Sequence, residues 1–371
     1  MRFKRCLDFA DSGIEQDKTW LVYPEIPAAI PKQKLFDRLT TAGGGCSNGT
    51  EDCHRSNFRR YPSLSSPNYT RSIPECSGTI RERFTDKDPE FLRLKASLLE
   101  KAGIKTGTRL GSGTFSVVLR AVCLENQQAV AVKVIDTRVG GDYVKRFLPR
   151  ERRLVRPLHH ANIVRVWSIV NNGPFVTFIT ELCGGGDLLQ KILSMTRIPE
   201  QHCKGMFRQL VAALDYLQSV HSIIHRDLKC ENIFLDANDN MKIGDFGFAR
   251  VLKPGELSNT FCGSRAYVAP EVLSAKTYTG HATDIWSAGI VLFVMITGLM
   301  PFDDRNPRSM LQKQTAHAVR FPRDVILSVD VKKLVMEMLH PIPTSRPGCP
   351  ELFANSWLEG VDATPRTTPI N

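Results

Sequence analysis

His225-Arg226-Asp227-Leu228-Lys229-Cys230-Glu231-Asn232 and, after twelve intervening residues, Asp245-Phe246-Gly247 gather two carboxylates, a lysine and an amide in one short stretch of chain. Phosphoryl transfer from a magnesium–nucleotide complex requires this set, in this order and at this separation. Asp227 can accept or orient the proton of an attacking hydroxyl, and Lys229 can steady the phosphoryl group in flight. Asn232 and Asp245 offer the hard oxygen ligands that magnesium prefers. Carboxylates and amides also serve as structural caps, and either tripeptide alone could arise by chance. The ordered pair of motifs makes that bland reading poor.

A second group lies upstream, in Leu110-Gly111-Ser112-Gly113-Thr114-Phe115-Ser116-Val117-Val118. Glycines in such a run let backbone N–H groups approach phosphates without Cβ atoms in the way. Ser116 stands where a third glycine would be, so by itself the run reads as a hairpin turn. Lys133, in Val130-Ala131-Val132-Lys133, changes that reading, because a lysine on a later strand can reach the α- and β-phosphates of ATP when a carboxylate holds it. Glu151, eighteen residues further along in a predicted helix, is the expected partner. Asp136 and Asp142, in the connecting loop, are the less well placed alternatives.

The elements that must position these groups follow from periodicity. Residues 1–84, with Gly43-Gly44-Gly45, scattered prolines and weak hydrophobic periodicity, are expected to be a disordered extension. A lead-in helix is expected over 85–103, with Asp88 as its cap, Phe91, Leu94 and Leu98 on one face and Gly103 at its end. From 104 the chain reads as strands: 117–119 and 129–135 around the turn Glu125-Asn126-Gln127, then 163–170 and 175–181. A helix is expected over 143–156. After Asp187 the pattern is mostly helical, with Met206, Leu210, Ala213, Leu214 and Leu217 at helical spacing and later helices at 284–297, 306–317, 329–339 and 350–355. The expectation is an α+β fold, a small β-rich lobe followed by a larger helical one over 104–358, with a tail at 359–371.

Composition narrows the alternatives. The chain has 371 residues, 42% of them apolar, 23% charged and 8% aromatic, as in an ordinary globular protein large enough for one two-lobed domain. The most apolar run, 290–300, is too short for a membrane span and reads as a buried helix. The basic N-terminus lacks the apolar segment of a secretory signal. Ten cysteines without a CxxC pair then read as free thiols in a reducing compartment, the cytoplasm or the nucleus. A net charge of +11 admits nucleic-acid binding, but no concentrated basic block or RNP-like aromatic motif accompanies it, so neither nucleic acid nor membrane is expected as a partner.

From about 98 to 358 the chain resembles protein kinases of the calmodulin-dependent group, and within it the testis-specific serine/threonine kinases. The residues that carry the resemblance are Lys145-Arg146-Phe147-Leu148-Pro149-Arg150-Glu151, Met206-Phe207-Arg208-Gln209-Leu210, the catalytic runs already quoted, Thr260-Phe261-Cys262-Gly263-Ser264 and Met300-Pro301-Phe302-Asp303-Asp304. The kinase motifs are highly specific, whereas related kinases share several of the subfamily marks. The resemblance implies a bilobal kinase that uses Mg2+ and ATP to phosphorylate Ser or Thr of germ-cell proteins, with Lys229 marking the serine/threonine class. It implies Val118 and Ala131 above the adenine, Phe234 below it in place of the usual aliphatic residue, and a hinge at Glu181-Leu182-Cys183 behind Thr180. It further implies a Glu271–Arg346 ion pair beneath Ala269-Pro270-Glu271 and an anchor for the catalytic loop in Asp284. Arg226 and Arg250 would lie, unpaired, beside Thr260, whose phosphorylation by an upstream kinase would order the activation segment, while Ser264 would bond near Asp227 and Lys229. Glu231 and Asp187 would face the substrate groove and favour arginine upstream of the target; in the alternative, Asp187 binds ribose and Glu231 is solvated. The long N-terminal extension departs from the short chains of the family.

Three readings compete: an active serine/threonine kinase, a silent scaffold of the same fold, and a kinase of the wider calmodulin-dependent group with no testis role. Silent scaffolds usually lack the lysine, the catalytic carboxylate or the metal carboxylate. Here Lys133, Asp227, Lys229, Asn232 and Asp245 are all present.

Overall fold

Runs of β-branched residues with few interior breakers form a five-stranded antiparallel sheet in the computed structural model, which describes residues 84–85, 87–139, 141, 143–253, 256–258 and 263–360. The strands are β1 (Ile104–Ser112), β2 (Ser116–Cys123), β3 (Gln128–Asp136), β4 (Val166–Asn172) and β5 (Phe175–Glu181), in spatial order β1-β2-β3-β5-β4. Inner strands β3 and β5 are buried nearly end to end, as their almost unbroken apolar runs require. Lys133 is the one charged side chain within β3's apolar run. The β2–β3 turn falls at Gln127, whose φ of 58° takes the left-handed conformation, beside Asn126, which accepts the Gln128 N–H at 3.0 Å. The strand expected at 163–170 begins later, because Ile163 leaves the sheet and bridges in parallel to Ile243 of the helical lobe.

The extension expected to be disordered lies outside the described residues except at its last position, where the expectation is corrected. Phe84 is buried, its ring 5.6 Å from Phe91 and 6.2 Å from Phe175, and its carbonyl accepts from Arg109. The packed unit therefore starts before α1 (Pro89–Ala102). That helix is capped as its sequence predicts: Asp88 accepts the Glu90 N–H at 2.9 Å, and Gly103 closes it at φ 61°. Phe91, Leu94 and Leu98 form its buried face against the sheet. Arg138 clamps the junction, pairing with Asp136, Asp88 and Glu90 while its guanidinium lies over Phe175.

The helix expected over 143–156 is divided. Tyr143–Phe147 is a π-helical turn, and regular helix α2 covers Leu148–Val155. Pro149 has no N–H to give to residue 145, so the i→i−4 ladder cannot run unbroken through this point.

Helices make up the larger lobe: α3 (Leu188–Met195), α4 (Glu200–Asp215), α5 (Pro270–Leu273), α6 (Gly280–Thr297), α7 (Pro307–Thr315), α8 (Val329–Met338) and α9 (Cys349–Phe353). Helix α6 starts four residues earlier than its sequence pattern indicates. A side chain on Gly280 would overlap Ile224 in the short strand β6 (Ile223–Ile224), so glycine permits the close start. Among the described residues α6 alone is long and apolar enough to cross a membrane, and 83% of it is buried within the lobe. Beneath it, Arg346 makes two 2.7 Å bonds to Glu271 and stacks on Trp286. Cutting one side of such a buried pair costs about 3–5 kcal/mol, so it fixes the end of the activation segment. Small sheet and helical lobe together make the expected α+β, two-lobed architecture.

Candidate active site

Lys133 enters the interlobe space from β3, directly opposite Val118 on β2. Its ammonium lies 3.9 Å from Glu151 of α2 and 3.5 Å from Asp245. Burial pushes the Glu151 carboxyl up, countered by Lys133 and by a hydrogen bond from Tyr143. Burial likewise pulls the Lys133 ammonium down, countered by Glu151. Each charge is tolerable only in the presence of the other. Of the alternative partners, Asp136 is engaged by Arg138, and Asp142 lies outside the described residues.

Tyr143 is a part of this site that the sequence reading missed. Its hydroxyl donates to Glu151 at 2.7 Å, and its ring stacks on Phe115 of the glycine-rich turn at 5.6 Å. In a regular helix, a residue eight positions before Glu151 sits about 80° away around the axis. The π turn winds more residues per turn and brings Tyr143 back onto the Glu151 face. A proline at 149 was the available signal.

The catalytic loop is held from below. Asp284 of α6 accepts the backbone N–H of His225 at 2.8 Å and of Arg226 at 2.9 Å. Burial pushes its carboxyl up to about 6, against the pull of those two bonds. His225 bonds the Gly244 carbonyl and packs on Phe246, and burial holds its imidazole below the ordinary value, hence neutral. Arg226 then turns through φ 63° and delivers Asp227. One Asp227 oxygen receives the N–H and hydroxyl of Ser264 at 2.7 and 2.9 Å. The other receives Lys229 at 2.8 Å and Asn232 at 3.1 Å. Lys229 also donates to the Ser264 hydroxyl at 2.7 Å, in keeping with the place expected for that serine.

A hairpin brings Asn232 and Asp245 to one end of the site. Strands β7 (Ile233–Leu235) and β8 (Met241–Ile243) pair with Ile233 opposite Ile243, and the Gly244 N–H bonds the Asn232 carbonyl at 2.9 Å. Both side chains therefore leave the same end of the hairpin. The Asn232 amide nitrogen is committed to Asp227, which leaves its amide oxygen for a ligand. Burial pushes the Asp245 carboxyl up to about 6, eased by the Gly247 N–H, and a bound cation would favour its charged form. Two hard oxygen donors fit magnesium.

Above them, Gly111 and Ser112 lie in β1 opposite Val118 and Val117, and the Gly113 N–H closes the turn onto Ser116 at 2.8 Å, with Thr114 and Phe115 at the tip. A Cβ on Gly111 would meet nothing within 4 Å, so that glycine keeps space clear rather than packing tightly. Leu110, Val118 and Ala131 are buried beside this run, and Ala131 shares a face of β3 with Lys133. Ala131 also pairs with Thr180. The Glu181 side chain turns away, accepting from the Arg165 N–H and from Lys242, so only its backbone can serve a nucleotide. Cys183 and Phe234 pack together with Val164, and burial pushes the Cys183 thiol well up, so it is inert. The Asp187 carboxylate caps α3 through the Gln190 N–H at 2.9 Å.

The expectation of two unpaired arginines is corrected for Arg250 alone: the Arg226 side chain makes only neutral hydrogen bonds, and one of its terminal nitrogens is buried with no hydrogen-bond partner among the described residues. Arg250 pairs with Glu256 at 2.6 Å, and Arg226 donates to the Phe248 carbonyl at 2.8 Å and to Ser258. Thr260 lies outside the described residues.

The protein kinase domain model matches residues 104–358. Testis-specific serine/threonine-protein kinase 3 of Homo sapiens is 41% identical over 261 residues, which span 69% of this chain and 96% of that protein. Testis-specific serine/threonine-protein kinase 2 of Mus musculus is 40% identical over 271 residues, 71% of this chain and 75% of that protein. The CBL-interacting serine/threonine-protein kinase 19 of Arabidopsis thaliana is 37% identical over 257 residues, 68% of this chain and 52% of that protein. With a lysine, two carboxylates and an amide converging between its lobes, the chain belongs to the protein kinases, and among them to the testis-specific serine/threonine kinases.

Proposed function

We propose that this kinase works through the residues gathered between its lobes, transferring the ATP γ-phosphoryl group to Ser or Thr of germ-cell proteins during sperm formation, in the cytoplasm with access to the nucleus. The carrying observation is the four-donor cage around the Asp227 carboxylate, made by Ser264, Lys229 and Asn232. A carboxylate so held is aimed rather than free, which is what orienting an acceptor hydroxyl demands. Lys229, already beside Asp227, would meet the charge of the moving phosphoryl group. Lys133 would hold the α- and β-phosphates with Glu151 as its counter-charge. Asn232 and Asp245 would hold magnesium, which when bound neutralises phosphate charge. The adenine would lie between Val118 and Ala131 above and Phe234 below, bonded to the backbone of Glu181 and Cys183. The tissue role rests on the printed names of the relatives, the compartment on the free thiols.

Arginine upstream of the phosphorylated residue is favoured by Glu231. One of its carboxylate oxygens is buried and receives no hydrogen bond among the described residues. A guanidinium would satisfy it with a charge-assisted bond. Asp187, engaged as a helix cap, contributes less to this preference. Phosphorylation of Thr260 by an upstream kinase would bring a charge of about −2 into the activation segment, able to draw Arg250 from the exposed Glu256 pair and to add to the bonds of Arg226. Surface pairs of that kind are worth only about 0–1 kcal/mol, so the exchange is favourable.

Lys133→Met and Asp227→Asn should each lower the rate of transfer from radiolabelled ATP to a basic protein by roughly a thousandfold. A variant that keeps more than a tenth of wild-type turnover would defeat the assigned roles. In a serine-peptide array, replacing upstream arginine by alanine should cut kcat/KM about tenfold, and Glu231→Gln should abolish the difference. An array indifferent to arginine refutes the preference. Finally, phosphatase treatment should silence the wild type and leave Thr260→Ala unaffected, with ATP incubation restoring only the wild type. Equal activity in all four samples would remove the switch.

A further inference from the structure

Gly244 stands between β8 and Asp245, and the space that a side chain there would occupy holds the Phe234 ring. A Cβ on Gly244 would lie 2.7 Å from Cε2 and 3.0 Å from Cδ2 of Phe234, and 3.1 Å from Cγ2 of Val164. Carbon atoms in contact rest about 3.5–4.0 Å apart, so a single methyl group overlaps the ring by close to 1 Å. The backbone at Gly244 is not in the left-handed region, so glycine is not demanded by conformation. What it supplies is room.

The ring cannot simply step aside. It is 4% exposed and packed against Val164 and Cys183. Its backbone is tied on both edges, to Lys242 within the hairpin and to Asp187 by an isolated bridge. Both ends of the hairpin are fixed too, since Asn232 bonds Asp227 and Gly244 bonds His225. Phe234 thus runs from Cys183, in the segment joining the lobes, to the residue just before Asp245. A nucleotide reaching from that segment to the metal-binding carboxylate must pass over it. A ring displaced from Gly244 cannot move into Val164 or Cys183, which already pack against it.

We propose that Gly244 and Phe234 form one specificity-determining unit for the nucleotide: the missing side chain at 244 lets the ring lie low enough to admit a planar base above it. This rests on reading the space between Ala131 and Phe234 as the base site. Any side chain at 244 should lift the ring against the base, and shortening residue 234 should relieve it. The pair is assigned to nucleotide affinity, since neither side chain meets Asp227 or Lys229.

The test is titration of the full chain with magnesium and a non-hydrolysable ATP analogue, followed by calorimetry, alongside kcat and the KM for ATP. Gly244→Ala should weaken analogue binding and raise KM about tenfold. Phe234→Leu added to Gly244→Ala should recover most of the lost affinity. Wild-type binding by Gly244→Ala, or a double variant no better than Gly244→Ala, would overturn the unit. Should Gly244→Ala not fold, the double variant decides: folded and binding, it supports the pair; unfolded, or folded without binding, it overturns it. A wild type that binds the analogue but transfers no phosphate would defeat the transfer reading alone, since the binding comparison would still stand.

Discussion

Two backbone N–H groups pointing at one buried carboxylate organise this active site. Asp284 lies in the second turn of an apolar helix, where an isolated buried charge would be costly, and its burial is tolerated because His225 and Arg226 donate to it. The grip works in both directions. It also holds Arg226 at φ 63°, a conformation that costs about 1–3 kcal/mol for a residue with a side chain. Once that turn is made, Asp227 has one available direction, and Ser264, Lys229 and Asn232 close around it. The Asn232–Gly244 bond then carries the same constraint to Asp245.

The upper half of the site depends on a softer arrangement. Glu151 is shared between Lys133 at 3.9 Å and Tyr143 at 2.7 Å, so the phenol is the nearer partner. Through the Phe115–Tyr143 stack, the tip of the glycine-rich turn is linked to the carboxylate that steadies Lys133. Movement of the turn and formation of the ion pair are therefore mechanically connected. A π turn in front of α2 makes this contact possible, and such turns recur where function tolerates strain.

Much of this was legible in the sequence wherever chemistry and local pattern agree. The catalytic run, Lys133 and Glu151 announce themselves by residue type and spacing, and Asp88, Gly103 and the buried face of α1 follow from capping and periodicity. Helices α7, α8 and α9 fall within about two residues of their patterns, the usual blur at helix ends. What could not be read depends on partners far away in the chain. Phe84 looks like the end of a polar extension until Phe91 and Phe175 are beside it. Gly280 looks like a loop residue until Ile224 approaches. Arg250 looks unpaired because nothing in the spacing shows that Glu256 folds back onto it. Tyr143 requires knowledge of a helix defect, and Gly244 requires the Phe234 ring to be in place before its lack of a side chain has meaning.

The claim that Asp284 sets the catalytic loop is tested most directly by Asp284→Ala, comparing turnover with binding of a non-hydrolysable ATP analogue while hydrogen exchange is followed across 225–232. Loss of the two accepted N–H bonds should lower kcat by about a hundredfold or more, speed exchange at His225 and Arg226, and leave analogue affinity within about threefold of wild type. Turnover within twofold of wild type, with the loop amides as protected as before, would contradict the account.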